Sequence, residues 1–285
     1  MAVVAFVVHP DRPQAAEAAA AAEKWLTAQG HGVLAVPETA LDDALDGGRR
    51  GQVEDLADID LAVSLGGDGT MLRTVAMASA KGTPVLGVNL GRLGYLTEIE
   101  PSELQPALQR FLAGDYQVEE RMTLEVSLYG AGRDEPAVFP ALNEAVVEKT
   151  VPGHTVRVAL SVTGRPFVTY AADGVLVSTP TGSTAYNLSA HGPIMSPSLR
   201  ALVVTPVSPH MLFDRPLVLE PAQWIRLEVL EPRPAVAVVD GRTVAQLDPG
   251  DVLCCREGPR PARLVTFGGR DFHAILRARF GLADR

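Results

Sequence analysis

A chain of 285 residues, 47% hydrophobic and 21% charged, has material for one large or two medium domains with a sizeable core, and this composition excludes disorder. The formal net charge of −9 excludes a general nucleic-acid binder, which needs clustered cations, but leaves room for a local site that binds a small anion. The two cysteines, Cys254 and Cys255, are neighbours that would point to opposite faces of a strand, so neither an ordinary disulfide nor a shared metal site is expected, and a reducing, cytoplasmic setting is favoured.

Met1 to Val8 is apolar without a basic segment, and it meets His9-Pro10-Asp11 too soon for a signal peptide or a membrane span. Val3 to Val8 reads instead as a strand covered on both faces, as parallel sheets require. Pro13 to Ala28 is an Ala-rich helix stopped by Gly30, and Val33 to Val36 is a second strand. Asp42 to Asp60 is acidic, interrupted by glycine and weakly periodic, the pattern of a surface loop. Leu61 to Leu65 is the next strand, followed by Gly66-Gly67-Asp68-Gly69-Thr70 and a helix from Met71 to Ala80. Thr83 to Val88 is a strand that ends in a second glycine-rich turn, Asn89-Leu-Gly-Arg-Leu-Gly-Tyr-Leu96, and Ser102 to Ala113 is a helix. This alternation predicts a doubly wound, mostly parallel α/β sheet.

The pattern changes near Tyr116. Thr123 to Leu128, Thr155 to Val162 and Trp224 to Leu230 alternate with period two, and Gly, Pro and Asp turns separate them. An all-β second domain of two packed sheets follows, with one helix beginning near Thr184. Asp271 to Phe280 is helical again and is expected to return to the first domain. The expected domains are 1–117 with 269–285, and 118–268.

Strand, glycine turn and helix at Gly66 to Thr70 form the place where an open α/β sheet receives a ligand. Glycines let backbone N–H groups approach a phosphate, and the helix offers its positive end. A carboxylate is out of place in a pure anion site, so Asp68 suggests phosphoryl transfer to a hydroxyl. The other reading is a tight turn whose Asp68 caps the helix. The turn is neither a Walker A loop nor a Gly-x-Gly-x-x-Gly turn. Arg73, one helical turn on, can clamp a phosphate or be an ordinary surface arginine.

A second stretch runs from Ala172 to Ala190. An apolar strand, Val175 to Val177, enters a dense set of Ser, Thr and Gly, and Tyr186 offers a flat face for a base. Asn143-Glu144 presents donors and acceptors matched to a purine edge or a ribose diol, or else a turn residue followed by an exposed Glu at a strand start. His154, His191 and His210 have no metal-ligand spacing, and no Gly-x-Ser-x-Gly elbow accompanies Ser178 or Ser183.

Together Gly66 to Thr70, Asn89 to Leu96, Asn143-Glu144 and Asp173 to Tyr186 resemble the NAD kinase family, in its bacterial type, over nearly the whole chain. The resemblance implies transfer of phosphate from ATP, or polyphosphate, to the adenosine ribose 2′-hydroxyl of NAD. It also implies a divalent metal, most simply Mg²⁺ carried by the phosphates rather than by a side-chain cluster, and a homodimer or homotetramer with the site between domains. Asp68 would be the base. Gly66, Gly67, Gly69, Thr70 and Arg73 would line the phosphates, and Asp68 and Gly69 would also meet NAD. Tyr95 would sit near the adenine, and Asn143 and Glu144 would hold the adenosine half. Thr184, Ala185, Tyr186, Asn187 and Ser189 would line the dinucleotide pocket, and Asp173 would face the nicotinamide half. His154 and Arg242 fall where the family has variable polar contacts. The alternative is a diacylglycerol- or sphingosine-type lipid kinase, which shares the Gly-Gly-Asp-Gly-Thr turn but needs an acyl pocket.

Overall fold

The computed structural model describes residues 1–39, 41, 59–91, 94–130, 132, 134–268 and 271–282, so the expected loop from Asp42 lies outside the described residues apart from Ile59 and Asp60. The chain divides into two units, Met1–Glu120 with Ala262–Arg285, and Arg121–Pro261.

The first unit holds strands Val3–Val8 (β1), Gly32–Pro37 (β2), Leu61–Gly66 (β3), Val85–Asn89 (β4) and Gln117–Arg121 (β5), with helices Pro13–Ala28 (α1), Asp68–Ser79 (α2) and Leu104–Leu112 (α3). A late strand, Ala262–Thr266, lies between β4 and β5, giving the order β2-β1-β3-β4-late strand-β5. It pairs parallel with β4, so it belongs to this unit, ahead of the boundary expected at 269. Pairs β1–β2, β1–β3 and β3–β4 are parallel as well. Residues of β3 and β4 are buried throughout, which is why these strands read as unbroken apolar runs. One sheet face carries Val4, Phe6, Val63, Leu65, Leu86 and Val88 in a cluster with Ala15, Ala22 and Leu26 of α1 and Leu104, Leu108 and Phe111 of α3. Helix α2 lies against the other face, where a Cβ on Gly87 would stand 3.1 Å from the Met71 sulfur. Strand order runs outward from β1 in both directions, so the carboxyl ends of β1 and β3 flank the switch point where such sheets bind ligands.

Among the described residues the second unit has twelve strands: Leu124–Tyr129 (β6), Ala137–Ala141 (β7), Glu144–Lys149 (β8), Val156–Val162 (β9), Arg165–Ala172 (β10), Gly174–Ser178 (β11), Leu202–Val207 (β12), Leu217–Leu219 (β13), Ile225–Val229 (β14), Ala235–Val239 (β15), Arg242–Leu247 (β16) and Val252–Glu257 (β17). They form two antiparallel sheets, β10-β9-β14-β17-β6-β7 and β13-β12-β11-β8-β15-β16. Alternate residues enter one core, with Val126, Leu128, Val158, Leu160 and Leu227 from the first sheet and Val147, Val175, Val177 and Ala237 from the second. Cys255 points into this core and Cys254 to the other face of β17, and both are free. The helix expected near Thr184 is short: a 3-10 turn, Thr181–Thr184, and a single α turn, Tyr186–Ser189 (α4). The C-terminal helix Phe272–Phe280 (α5) is capped by Asp271, ends in left-handed Gly281, and belongs to the first unit. Among the described residues no helix is long and apolar enough to cross a membrane.

Candidate functional site

In the first unit β3 ends at Gly66, and α2 begins at Asp68 rather than at Met71. Gly67 is the N-cap residue, so Asp68 does not cap the helix and that reading of its carboxylate falls. The carboxylate turns instead to the second glycine-rich stretch. Asp68 Oδ2 accepts from the Tyr95 N–H at 3.0 Å and Oδ1 from the Leu96 N–H at 3.2 Å. The approach is close because residue 94 is glycine: a Cβ there would lie 2.2 Å from Asp68 Oδ1. A carboxylate has about four lone-pair directions, so two remain for a ligand hydroxyl.

Leu90 N–H donates to the Gly66 carbonyl at 2.9 Å, tying the second turn to the first. Asn89 braces it through Gly91 N–H at 3.1 Å and through its own amide to Glu100 at 2.9 Å. Arg12, beyond the end of β1, donates to the Leu90 carbonyl. The guanidinium of Arg279, on α5, stacks on the Tyr95 ring with its carbon 4.8 Å from the centroid.

The expected phosphate liners divide. Gly67 and Asp68 are half-buried and Gly69 is exposed, whereas Gly66 and Thr70 are buried. Gly66 is needed because a Cβ would lie 2.1 Å from Thr70 Oγ1. The Thr70 hydroxyl donates to buried Glu38 at 3.1 Å, and Arg73 pairs with the same carboxylate at 2.9 Å while reaching the Gly69 carbonyl at 3.3 Å. Glu38 thus braces the glycine turn from just beyond the end of β2. Nothing local in the sequence marks it, because its partners lie more than thirty residues on.

In the second unit Glu144 opens β8 and is buried, so the reading of an exposed Glu at a strand start fails. Burial, and then the nearby Asp240 carboxylate, push its acid up to about 8, against a lowering bond from the Tyr186 N–H. Its Oε2 is buried without a hydrogen-bond partner. The segment after β11 folds down onto Asn143: Thr179 N–H and Ser178 Oγ donate to the Asn143 carbonyl at 2.9 and 3.3 Å, and Gly182 lies so close that a Cβ would be 2.2 Å from that oxygen. Thr179 Oγ1 donates to the Leu142 carbonyl at 2.5 Å. These contacts explain the run of Ser, Thr and Gly, which satisfies buried backbone groups.

Tyr186 follows directly. Burial, Glu148 and Asp173 raise its phenol, and it is hydrogen-bonded to Glu148. Asp173 pairs with Lys149 at 2.6 Å. Arg242 opens β16 close to Asp240. Asn143, Glu144, Asp173, Tyr186 and Arg242, far apart in sequence, therefore share one region. Thr184, whose hydroxyl donates to the Thr181 carbonyl at 3.3 Å, and Ala185 lie beside it, and Ser189 is exposed at the end of α4. Asn187 turns inward: its amide donates to the Ser183 and Pro193 carbonyls and accepts from the Thr205 hydroxyl at 2.7 Å. His154 stands exposed in the turn between β8 and β9.

A separate concavity of about 550 Å³ lies on the outer face of the first sheet of this unit, lined by Tyr129, Trp224, Arg226, Cys254 and Arg256 among others. Both arginines there are engaged by carboxylates, Glu228 and Glu125.

Residues 4–116 match the model of the ATP-NAD kinase N-terminal domain, and residues 142–267 match that of the ATP-NAD kinase C-terminal domain. The chain is similar to the NAD kinase of Heliobacterium modesticaldum, with 45% identity over 98% of both chains. It is 39% identical to NAD kinase 2 of Streptomyces coelicolor over 98% of this chain and 94% of the relative. Among solved structures it resembles yeast NADH kinase complexed with NADH, at a TM-score of 0.88 and 27% identity, covering 100% of this chain and 89% of that one. It also resembles an NAD kinase from Archaeoglobus fulgidus in complex with ATP, at a TM-score of 0.69 and 27% identity, covering 98% and 97%.

Proposed function

The chain belongs to the NAD kinase family of phosphotransferases, and from that premise we propose that it transfers the terminal phosphoryl group of ATP, or of polyphosphate, to the adenosine ribose 2′-hydroxyl of NAD. The 2′-oxygen attacks phosphorus, the bond to the leaving phosphate oxygen breaks, and the hydroxyl proton passes to Asp68. The observation that carries this reading is the grip of Tyr95 and Leu96 N–H groups on Asp68, which fixes a carboxylate at a helix N-terminus suited to phosphate. The N–H groups from Gly67 to Gly69 meet the phosphates, and Arg73 adds its charge. Asn143 and Glu144 hold the adenosine half, with Tyr186, Thr184, Ala185 and Ser189 along the dinucleotide. Asp173, Tyr95, His154 and Arg242 are contacts of the same reading. Gly66, Thr70 and Asn187 support it from inside.

A divalent cation, most simply Mg²⁺, belongs to this reading as the partner of the phosphates. In this reading phosphate oxygens would hold the ion, with Asp68 the acidic side chain at the turn. Its chemistry would be charge neutralisation on the transferring group. The reading also includes a cytoplasmic homodimer or homotetramer, which sedimentation of the purified protein tests.

The experiment supplies ATP, Mg²⁺ and NAD and couples product to an NADP-specific dehydrogenase. Wild-type protein forms NADP, and Asp68→Asn retains its melting temperature but loses about 10²-fold or more of turnover. Near wild-type turnover in that variant removes Asp68 as the base. Phosphorylation of diacylglycerol with no NADP signal overturns the whole reading.

A further inference from the structure

We propose that Asp240 is a positioning residue that fixes Asn143 and Glu144 for NAD, an assignment that rests on the reading of those two residues as NAD contacts. Asp240 and Gly241 form the two-residue turn between β15 and β16, with φ of +46° and +77°, the pair of left-handed residues that a type I′ hairpin demands. The carboxylate reaches back across the sheet. Oδ2 accepts from the Leu142 N–H at 2.7 Å, and Oδ1 accepts from the Asn143 N–H at 2.8 Å and the Glu144 N–H at 3.1 Å. Asp240 N–H returns a bond to the Glu144 carbonyl at 3.0 Å. The Asn143 carbonyl, on the far side of its residue, is held by Thr179 and Ser178. The backbone that aims the Asn143 and Glu144 side chains is therefore clamped from two sides, and Asp240 is one jaw.

The turn alone does not account for this carboxylate. Asparagine serves a type I′ turn as well as aspartate does. Three converging N–H donors, however, call for a side chain with acceptors on both oxygens. The position is also unfavourable for an anion. Burial pushes the Asp240 acid up to about 6 despite its three backbone bonds and Arg242, and Glu144 lies beside it. A turn with no other duty gains nothing from that burden.

Asp240→Asn separates the two roles, because Asn-Gly keeps the hairpin while an NH₂ group faces at least one N–H donor. The melting temperature, kcat, and KM for ATP and for NAD are measured beside those of Asn143→Ala. The expected result is a KM for NAD raised about ten-fold or more in Asp240→Asn, with kcat and KM for ATP near wild type and a melting temperature lowered by no more than the few degrees that one unsatisfied N–H costs. An unchanged KM for NAD, while Asn143→Ala raises it, overturns the positioning role and leaves Asn143 as a contact. If neither variant raises KM for NAD, the reading of Asn143-Glu144 as a NAD contact falls, and the proposal with it. Parallel losses in melting temperature, kcat and both KM values reduce Asp240 to a turn residue and overturn the proposal.

Discussion

Glu144 occupies a site where a carboxyl group ionises with difficulty. It is 7% exposed, one oxygen lacks a partner, and Asp240 is adjacent, so its acid stands at about 8 instead of the ordinary 4.5. Between those values the folded protein keeps a proton that the unfolded chain has released. Its contribution to stability is therefore full below about 4.5 and is lost as pH rises through about 8. Asp240, at about 6, acts in the same direction at the lower end of that window. Glu144→Gln cannot ionise. Its urea midpoint relative to wild type should climb steadily as pH is raised from about 5 to about 9, and a difference independent of pH would show that Glu144 is already charged when folded. Asn143-Glu144 was visible in the sequence as a pair of suitable donors and acceptors. Its burial was not, because an isolated Glu at a strand start says nothing about what folds over it.

At the scale of elements, the two glycine-rich turns act as one device. The first ends β3 and opens α2; the second follows β4 and supplies the N–H groups that hold Asp68. Gly94 is required by close approach, since its φ is not in the left-handed region and the obstacle is the Asp68 carboxylate itself. Gly94→Ala should displace that carboxylate by a fraction of an ångström to an ångström and cost about 10²-fold in kcat, with melting temperature little changed. Wild-type kcat in Gly94→Ala would dissociate the second turn from catalysis. Both glycine stretches were legible as turns at strand ends. That one grips the carboxylate of the other, across 27 residues, follows from the parallel neighbours β3 and β4, a pairing that no local spacing encodes.

For the whole molecule, stability rests on two cores of different character, a parallel sheet covered by helices and a sandwich of two antiparallel sheets. Tyr170, on β10, is among the largest fully buried side chains, and its hydroxyl, pushed up to about 12 by burial, has no partner within the sandwich. Tyr170→Phe should therefore leave NADP formation unchanged and be neutral or stabilising by about 1 kcal/mol in urea unfolding; a loss of more than about 1 kcal/mol would reveal a hydrogen bond there. By itself the sequence determined the alternation of apolar runs and helices that makes the first unit, the period-two strands of the second, and the glycine turn with its carboxylate. Those are local patterns, set by backbone sterics and by which face of an element must be dry. Only the tertiary structure decided that Ala262–Thr266 joins the first sheet, that Glu38 braces Thr70 and Arg73, and that Asp240 captures three N–H groups 96 to 98 residues away. Such polar pairings depend on the register of strands distant in sequence, and a backbone N–H carries no sequence signal. The turn at Gly66 to Thr70 announced a phosphate beside a carboxylate; the fold supplied the groups that hold that carboxylate still.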